Sequence, residues 1–387
     1  MPLPRTLAIV LAGGAGSRLE LLTQHRAKPA VPIAGSHRLI DISLSNCAHA
    51  QIGDVWVVQQ QHPATLADAL RNGRPWDLDR NRGGLLVLPP GQGTEREGWH
   101  EGTADALWKN APLIEEFAPE VVVVVSADAV YRMDYSELVA DHLASGAAVT
   151  MVTTTVKEDP TRYGVVQASD GQVTGYAYKP DRAEGNLISN EVFAFDPGRL
   201  IHGLEELARQ GEALSDLGEG LLPRLVEAGQ AREFRFRDYW RDLGTVEAYW
   251  SAHMDFLPPR PAFDFLEESW PMISSSQTPD AARLLRGAEV ADALITGGAQ
   301  VAGSVTGSVI GRGAVVEKGA VVKDSVVLPR SVIRAGAEVR RAVIDTDSTI
   351  GRDCRIGAAR GDIALVGHGV TVRKGTALGA GGRYPKR

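Results

Sequence analysis

The sequence predicts an α/β protein in two parts: a domain with a mostly parallel sheet covered by helices, then a parallel β-helix. Three observations predict it. An apolar run flows directly into a glycine cluster at residues 7–16; strands and helices alternate over residues 1–260; and a six-residue aliphatic period occupies the C-terminal part. The expected boundaries are a first domain at 1–260, a linker at 261–286 and the solenoid at 287–387.

Leu7 to Leu11 read as a buried strand because they are continuously apolar and bounded by glycines. Gly13, Gly14 and Gly16 permit backbone conformations closed to other residues and let another group approach the main chain. Their amides, with Arg18 and Lys28 following, form a concave cationic surface suited to a phosphate chain. No Gly-Lys-Ser/Thr closes the loop and no G-x-G-x-x-G is present, so a plain tight turn remains open from the loop alone.

Further along, 54–59, 121–125 and 147–156 read as strands, and 41–51, 103–117 and 135–145 as helices. In sheets of this kind ligands bind at the carboxyl ends of strands. The glycine loop and Ser126-Ala127-Asp128, which follows five valines, both fall there. Asp128 could instead cap a helix over the segment DAVYRMDY. Thr103 and Asp105 in EGTADAL read as a helix start.

Proline and serine density at 258–285 marks a connector. After it, Val309, Val315, Val321, Val327 and Ile333 recur six apart with glycines at 307, 313 and 319, and Ile350 and Ile356 continue the series. Inward aliphatics at that period with small turn residues indicate a parallel β-helix, whereas an amphipathic helix would show a 3.6-residue period. Such a solenoid serves as scaffold or oligomerisation surface, so chemistry is sought in the first domain.

Hydrophobic content of 44% and charged content of 23% are those of a soluble globular chain. A formal charge of −7, with no basic block beyond the terminal RYPKR, argues against a nucleic-acid partner. No apolar run approaches the ~18 residues of a membrane span. Cys47 and Cys354 suggest no disulfide framework, and no cleavage site follows the first apolar stretch, so a cytoplasmic location is expected.

Six segments in order, LAGGAGSRL, RAKPAV, RLIDISLSNC, GTADA, YRMDY and YWRDLGTVEAYW, resemble the bacterial ADP-glucose pyrophosphorylase (glucose-1-phosphate adenylyltransferase) family over nearly the whole chain. The resemblance implies a Rossmann-like nucleotidyltransferase domain, a left-handed β-helix and a homotetramer. It implies transfer of an adenylyl group from ATP to glucose 1-phosphate with release of pyrophosphate, assisted by Mg²⁺, on the way to glycogen. Such chemistry needs positioned cations and metal-holding carboxylates more than a covalent nucleophile. Matched residue by residue, Arg18, Lys28 and Asp128 are catalytic, and Asp128 and Asp242 hold the metal. Gly13, Gly14, Gly16, Gln60, Gln92, Gly102, Thr103 and Asp105 contribute to the nucleotide site. Lys179 binds the sugar phosphate, with Ser189, Glu191 and Asp216 near the sugar. Trp99 is expected to pack a loop rather than touch substrate.

The chain departs from the family pattern in four places. Ala127 and Ala129 flank Asp128 where the family has glycine and histidine; Tyr178 replaces a glutamate before Lys179; Asn190-Glu191 replaces Met-Gly; and His25 stands where a lysine helps bind a sugar-bisphosphate activator. The first three put the identity of the sugar in question, the last the activator. Glu191 either supplies the carboxylate that Tyr178 removed or pairs with a nearby arginine such as Arg199. The alternatives are a nucleotidyltransferase for another sugar 1-phosphate, such as glucosamine, mannose or galactose 1-phosphate, or a weakly active regulatory subunit. An acyltransferase is disfavoured, since only His368 lies on the solenoid.

Overall fold

A computed structural model describes residues 4–14, 16–90, 98–211, 214–276 and 280–386. In the first domain the strands are β1 (Thr6–Ala12), β2 (Pro32–Ile33), β3 (His37–Arg38), β4 (Asp54–Gln59), β5 (Gly84–Leu88), β6 (Val121–Ser126) and β7 (Ala129–Tyr131). They continue with β8 (Val149–Thr155), β9 (Gly164–Ser169), β10 (Gln172–Tyr178), β11 (Leu187–Phe195), β12 (Ala231–Arg235) and β13 (Trp240–Asp242). Nine of them form one sheet in the order β5-β4-β1-β6-β11-β8-β12-β10-β9. β5, β4, β1 and β6 run parallel, while β11 is inserted antiparallel between β6 and β8. The five valines of β6 are buried, as expected of a central strand with helices on both faces.

Helix α1 spans Leu39–His49 and α2 spans Pro63–Leu70. The helix expected over 103–117 is two, α3 (Thr103–Lys109) and α4 (Ala111–Phe117). Pro112 lies in the first turn of α4, where it cannot donate a hydrogen bond and would clash with a continuing helix. Tyr135–Ser145 forms a helix whose cap is Asp134, its carboxylate accepting from the amide of Ser136 at 2.8 Å. No helix among the described residues is long and apolar enough to cross a membrane.

Residues 261–276 pack onto the first domain instead of bridging freely: Phe263, Phe265 and Met272 are buried, and the carbonyl of Met272 lies 2.9 Å from His37 Nε2. The solenoid's first strand is Arg283–Leu284, and its three parallel sheets of six strands each give the prism of a left-handed β-helix. Its ladders read Leu284-Val301-Val316-Ile333-Ile350-Val372, Val290-Val305-Val322-Val339-Ile356-Leu378 and Ile295-Ile310-Val327-Ile344-Val366-Tyr384, interior except at Leu284 and Val290, which are exposed in the first coil.

Three aliphatics expected to face inward therefore do not: Val309, Val315 and Val321 stand one residue before the inward Ile310, Val316 and Val322. Each inward position has an aliphatic neighbour, so spacing alone does not say which member of the pair turns in. Gly307, Gly313 and Gly319 sit at corners with φ of +55°, +65° and +80°. Val309, Val326, Val343 and Leu365 form an outward apolar stripe on one face, and this stripe joins the core of the first domain. Polar links flank it, including the buried pair Arg26–Asp345 at 2.8 Å.

Candidate active site

The cleft lies at the carboxyl ends of β1 and β6 and encloses about 500 Å³. Its phosphate side begins at the glycine loop. A Cβ at Gly14 would meet nothing within 4 Å, which leaves the backbone open to a ligand. Gly16, at φ +63°, has no such room: a Cβ there would lie 2.9 Å from Thr23 Cγ2 and 3.1 Å from Lys28 Cβ. This close approach folds Lys28 back under the loop. Its ammonium is buried and lies 2.7 Å from Asp128 Oδ2. Asp128 Oδ1 accepts from the Ser126 hydroxyl at 2.6 Å.

Asp128 is not a helix cap, because the residues after it form β7. β7 pairs antiparallel with β13, placing Ala129 opposite Asp242, and the amide of Leu243 donates to the Asp128 carbonyl at 3.0 Å. Two aspartates far apart in sequence thus face the same cleft. Arg162 reaches Asp242 at 3.6 Å, and a Cβ at Gly244 would press on the Asp242 carboxylate at 2.7 Å and on Arg18 Nη2 at 3.4 Å.

Electrostatics separates the two aspartates. Burial disfavours the charge of Asp128, but Lys28, Ser126 and Arg18 outweigh it and hold its pKa below the ordinary range. Burial and the charge of Asp128 push Asp242 upward, with Lys28 and Arg162 opposing. Lys28 is raised overall: burial lowers it, and the carboxylates of Asp128, Asp242 and Glu191 more than reverse that.

On the sugar side, the hydroxyl of Tyr178 donates to Asp216 Oδ2 at 2.7 Å, and Lys179 Nζ bonds the same hydroxyl. Burial and the adjoining Asp216 raise the Tyr178 pKa, so the phenol stays neutral. Asp216 Oδ1 also accepts from the amide and hydroxyl of Thr103, each at 3.3 Å, tying the start of α3 to the sugar side. A Cβ at Gly102 would collide with the Ser215 carbonyl.

A bulge in β11 between Ser189 and Phe193 turns Glu191 into the cleft at φ +59°. Glu191 opens onto this space, yet the surrounding protein strips much of its hydration. That loss, with the charges of Asp128 and Asp242, pushes it up to about 7. Arg199 is not its partner, since that guanidinium donates to the Gly146 carbonyl at 3.1 Å.

Gly13, Gly14, Gly16, Arg18, Lys28, Gln60, Gly102, Thr103, Asp128, Lys179, Ser189, Glu191, Asp216 and Asp242 all line the one cleft. Asp105 does not: its carboxylate accepts from the amide of Glu101 at 2.9 Å and pairs with Lys109 at 2.8 Å, so it serves its own helix. Gln92 lies outside the described residues. Trp99, expected to pack a loop, is 61% exposed.

Sequence reasoning missed Arg162, Tyr176, His100 and Asn190 on the cleft wall. Both ring nitrogens of His100 and both amide atoms of Asn190 are buried without a hydrogen-bond partner among the described residues. Only their adjacency to the GTADA and Ser189 segments could have marked them. His25 lines a second cleft, of about 350 Å³, between the two domains with Arg26, Arg38, Arg312, Arg330 and His368.

Residues 7–258 match the family described as nucleotidyl transferase, and residues 280–379 the family described as GlmU-like, C-terminal hexapeptide. Glucose-1-phosphate adenylyltransferase of Thermotoga neapolitana is 38% identical over 308 residues, covering 79% of this chain and 73% of that protein. The enzyme of the same name from Bacillus licheniformis is 37% identical over 307 residues, 79% of this chain and 81% of its own. That of Acetivibrio thermocellus is 32% identical over 382 residues, 98% of this chain and 84% of its own. With that family matched over residues 7–258 and relatives 32–38% identical, the chain belongs to the nucleotidyl transferase family.

Proposed function

We propose that the protein is a glucose-1-phosphate adenylyltransferase, forming ADP-glucose and pyrophosphate from ATP and α-D-glucose 1-phosphate in the synthesis of α-glucan. The observation that carries the reading is the pairing of β7 with β13, which faces Asp128 and Asp242 into a cleft whose phosphate side holds Lys28 and Arg18.

In this reading a phosphate oxygen of the sugar 1-phosphate attacks the α-phosphorus of ATP, and the bond to the bridging oxygen of pyrophosphate breaks. The glycine-loop amides, Arg18 and Lys28 hold the ATP phosphates and take up the charge that builds on the leaving group. Lys28, paired with Asp128 at 2.7 Å, lines the same cleft. Lys179 anchors the sugar phosphate, while Asp216, Ser189 and Glu191 face the hydroxyls. The neutral Tyr178 hydroxyl fixes Asp216 and keeps it an acceptor.

Two carboxylates that face one cleft, the charge of Asp128 pushing Asp242 upward, suit Mg²⁺, which takes one or two carboxylates and completes its shell with phosphates and water. When bound, the ion neutralises phosphate charge. A homotetramer in the cytoplasm completes the reading.

The test is a matrix of nucleoside triphosphates against sugar 1-phosphates, assayed by pyrophosphate release with Mg²⁺. ATP with glucose 1-phosphate should give the highest kcat/KM. A preference for another sugar would move the protein to the neighbouring specificity, and no turnover with any pair would make it a regulatory subunit.

A further inference from the structure

We infer that Arg383, in the last coil of the β-helix, is a positioning residue for nucleotidyl transfer: it holds, through Glu20, the segment that carries Gly16 and Arg18. The inference rests on the reading of that segment as the ATP phosphate site.

Arg383 and Glu20 are 363 residues apart, yet Nη2 of Arg383 donates to Glu20 Oε1 at 2.8 Å and Nε donates to Oε2, a bidentate pair. The arginine is itself fixed to its coil, with Nη1 donating to the carbonyls of Ile363 at 2.7 Å and Gly381 at 2.9 Å. At the other end, Glu20 interrupts the 3₁₀ segment Ser17–Thr23 with φ +53° and ψ −118°, a conformation that side-chain-bearing residues rarely adopt. It lies between Leu19 and Leu21, both buried, and two residues after Arg18. Thr23 closes the unit by donating its hydroxyl to the carbonyls of Gly16 at 2.9 Å and Glu20 at 3.3 Å. A Cβ on Gly367, in the adjacent coil, would stand 3.5 Å from Leu21. The solenoid therefore reaches the backbone that aims Arg18.

The pair is not needed to hold the domains together. The apolar stripe of Val309, Val326, Val343 and Leu365 and the buried Arg26–Asp345 pair already do that. A part-exposed ion pair adds little to stability, but here it selects one conformation at a disfavoured backbone position beside a phosphate-binding arginine.

Two full-length variants test this. Glu20→Gly removes the carboxylate and also relieves the backbone, so folding is not at risk; Arg383→Ala removes the other partner. Both should lower kcat/KM for ATP about tenfold and leave the KM for sugar 1-phosphate within about twofold. Both should also weaken equilibrium binding of Mg-ATP and speed amide exchange in residues 16–24, with Arg383→Lys recovering part of the loss. Wild-type ATP kinetics in Glu20→Gly, or an equal loss toward both substrates, would overturn the inference. If the wild type makes no nucleotide sugar, the proposed function fails by itself. Mg-ATP affinity and exchange in Glu20→Gly still decide the positioning role, which falls if both match the wild type.

Discussion

The Lys28 ammonium lies 2.7 Å from Asp128 Oδ2, joining the glycine-loop segment to the end of the central strand. Both groups are shifted toward their charged forms, so the pair is an ion pair throughout the neutral range. It presents a cation and an anion to the same cleft, one suited to phosphate and the other to a metal.

Asp128→Asn should therefore abolish most turnover while leaving the fold intact. Removing one of the two carboxylates that would hold a charge-neutralising Mg²⁺ costs about 10²-fold or more. Steady-state pyrophosphate release alongside circular dichroism checks it; activity within about threefold of wild type would refute the assignment.

Glu191→Ala should raise the KM for the sugar 1-phosphate and barely move that for ATP. With Arg199 bonded elsewhere, Glu191 is free to meet a sugar hydroxyl. Loss of one charged hydrogen bond is worth about 1.5–3 kcal/mol, or one to two decades in kcat/KM. Unchanged sugar kinetics would end the idea that Glu191 compensates for Tyr178.

Asp41 makes stability depend on pH. Its carboxylate is fully buried in α1, one oxygen accepts from the amide of Arg38 at 2.8 Å, and burial pushes its pKa up to about 7 from an ordinary 3.8. The folded chain thus keeps a proton that the unfolded chain releases, and stability falls as pH rises from about 4 to 7. Asp41→Asn mimics the protonated acid. It should match the wild type near pH 4 and exceed it by about 2–4 kcal/mol at pH 8. Thermal melts at both values measure the difference, and an equal effect at both would exclude titration of Asp41.

Arg26→Ala should destabilise the protein by about 3–5 kcal/mol, because it removes the guanidinium that pairs with the buried Asp345 carboxylate and leaves that group only the Thr346 amide. Urea unfolding measures this. A loss below about 1 kcal/mol would mean that water or Thr346 replaces the guanidinium.

The glycine loop, the buried strands and the six-residue period were legible because each is a local requirement. A phosphate-facing turn needs residues without side chains, a strand covered on both faces needs unbroken aliphatics, and a solenoid needs a small residue at each corner. Asp128 was legible as the end of the polyvaline strand, but Asp242 only through family resemblance, since nothing in the intervening residues says that β7 and β13 pair.

The order of the two architectures and the residue types that face a phosphate follow from the chain's local pattern. Tertiary structure alone decided two further matters: it set Ile310 rather than Val309 inward, and it brought Arg383 onto Glu20. The reason is physical. Periodicity records which positions are buried on average, but a choice between adjacent aliphatics, or of the partner for the Glu20 carboxylate, is made by contacts between residues distant in the chain. Those contacts exist only once the solenoid's apolar stripe has closed against the first domain.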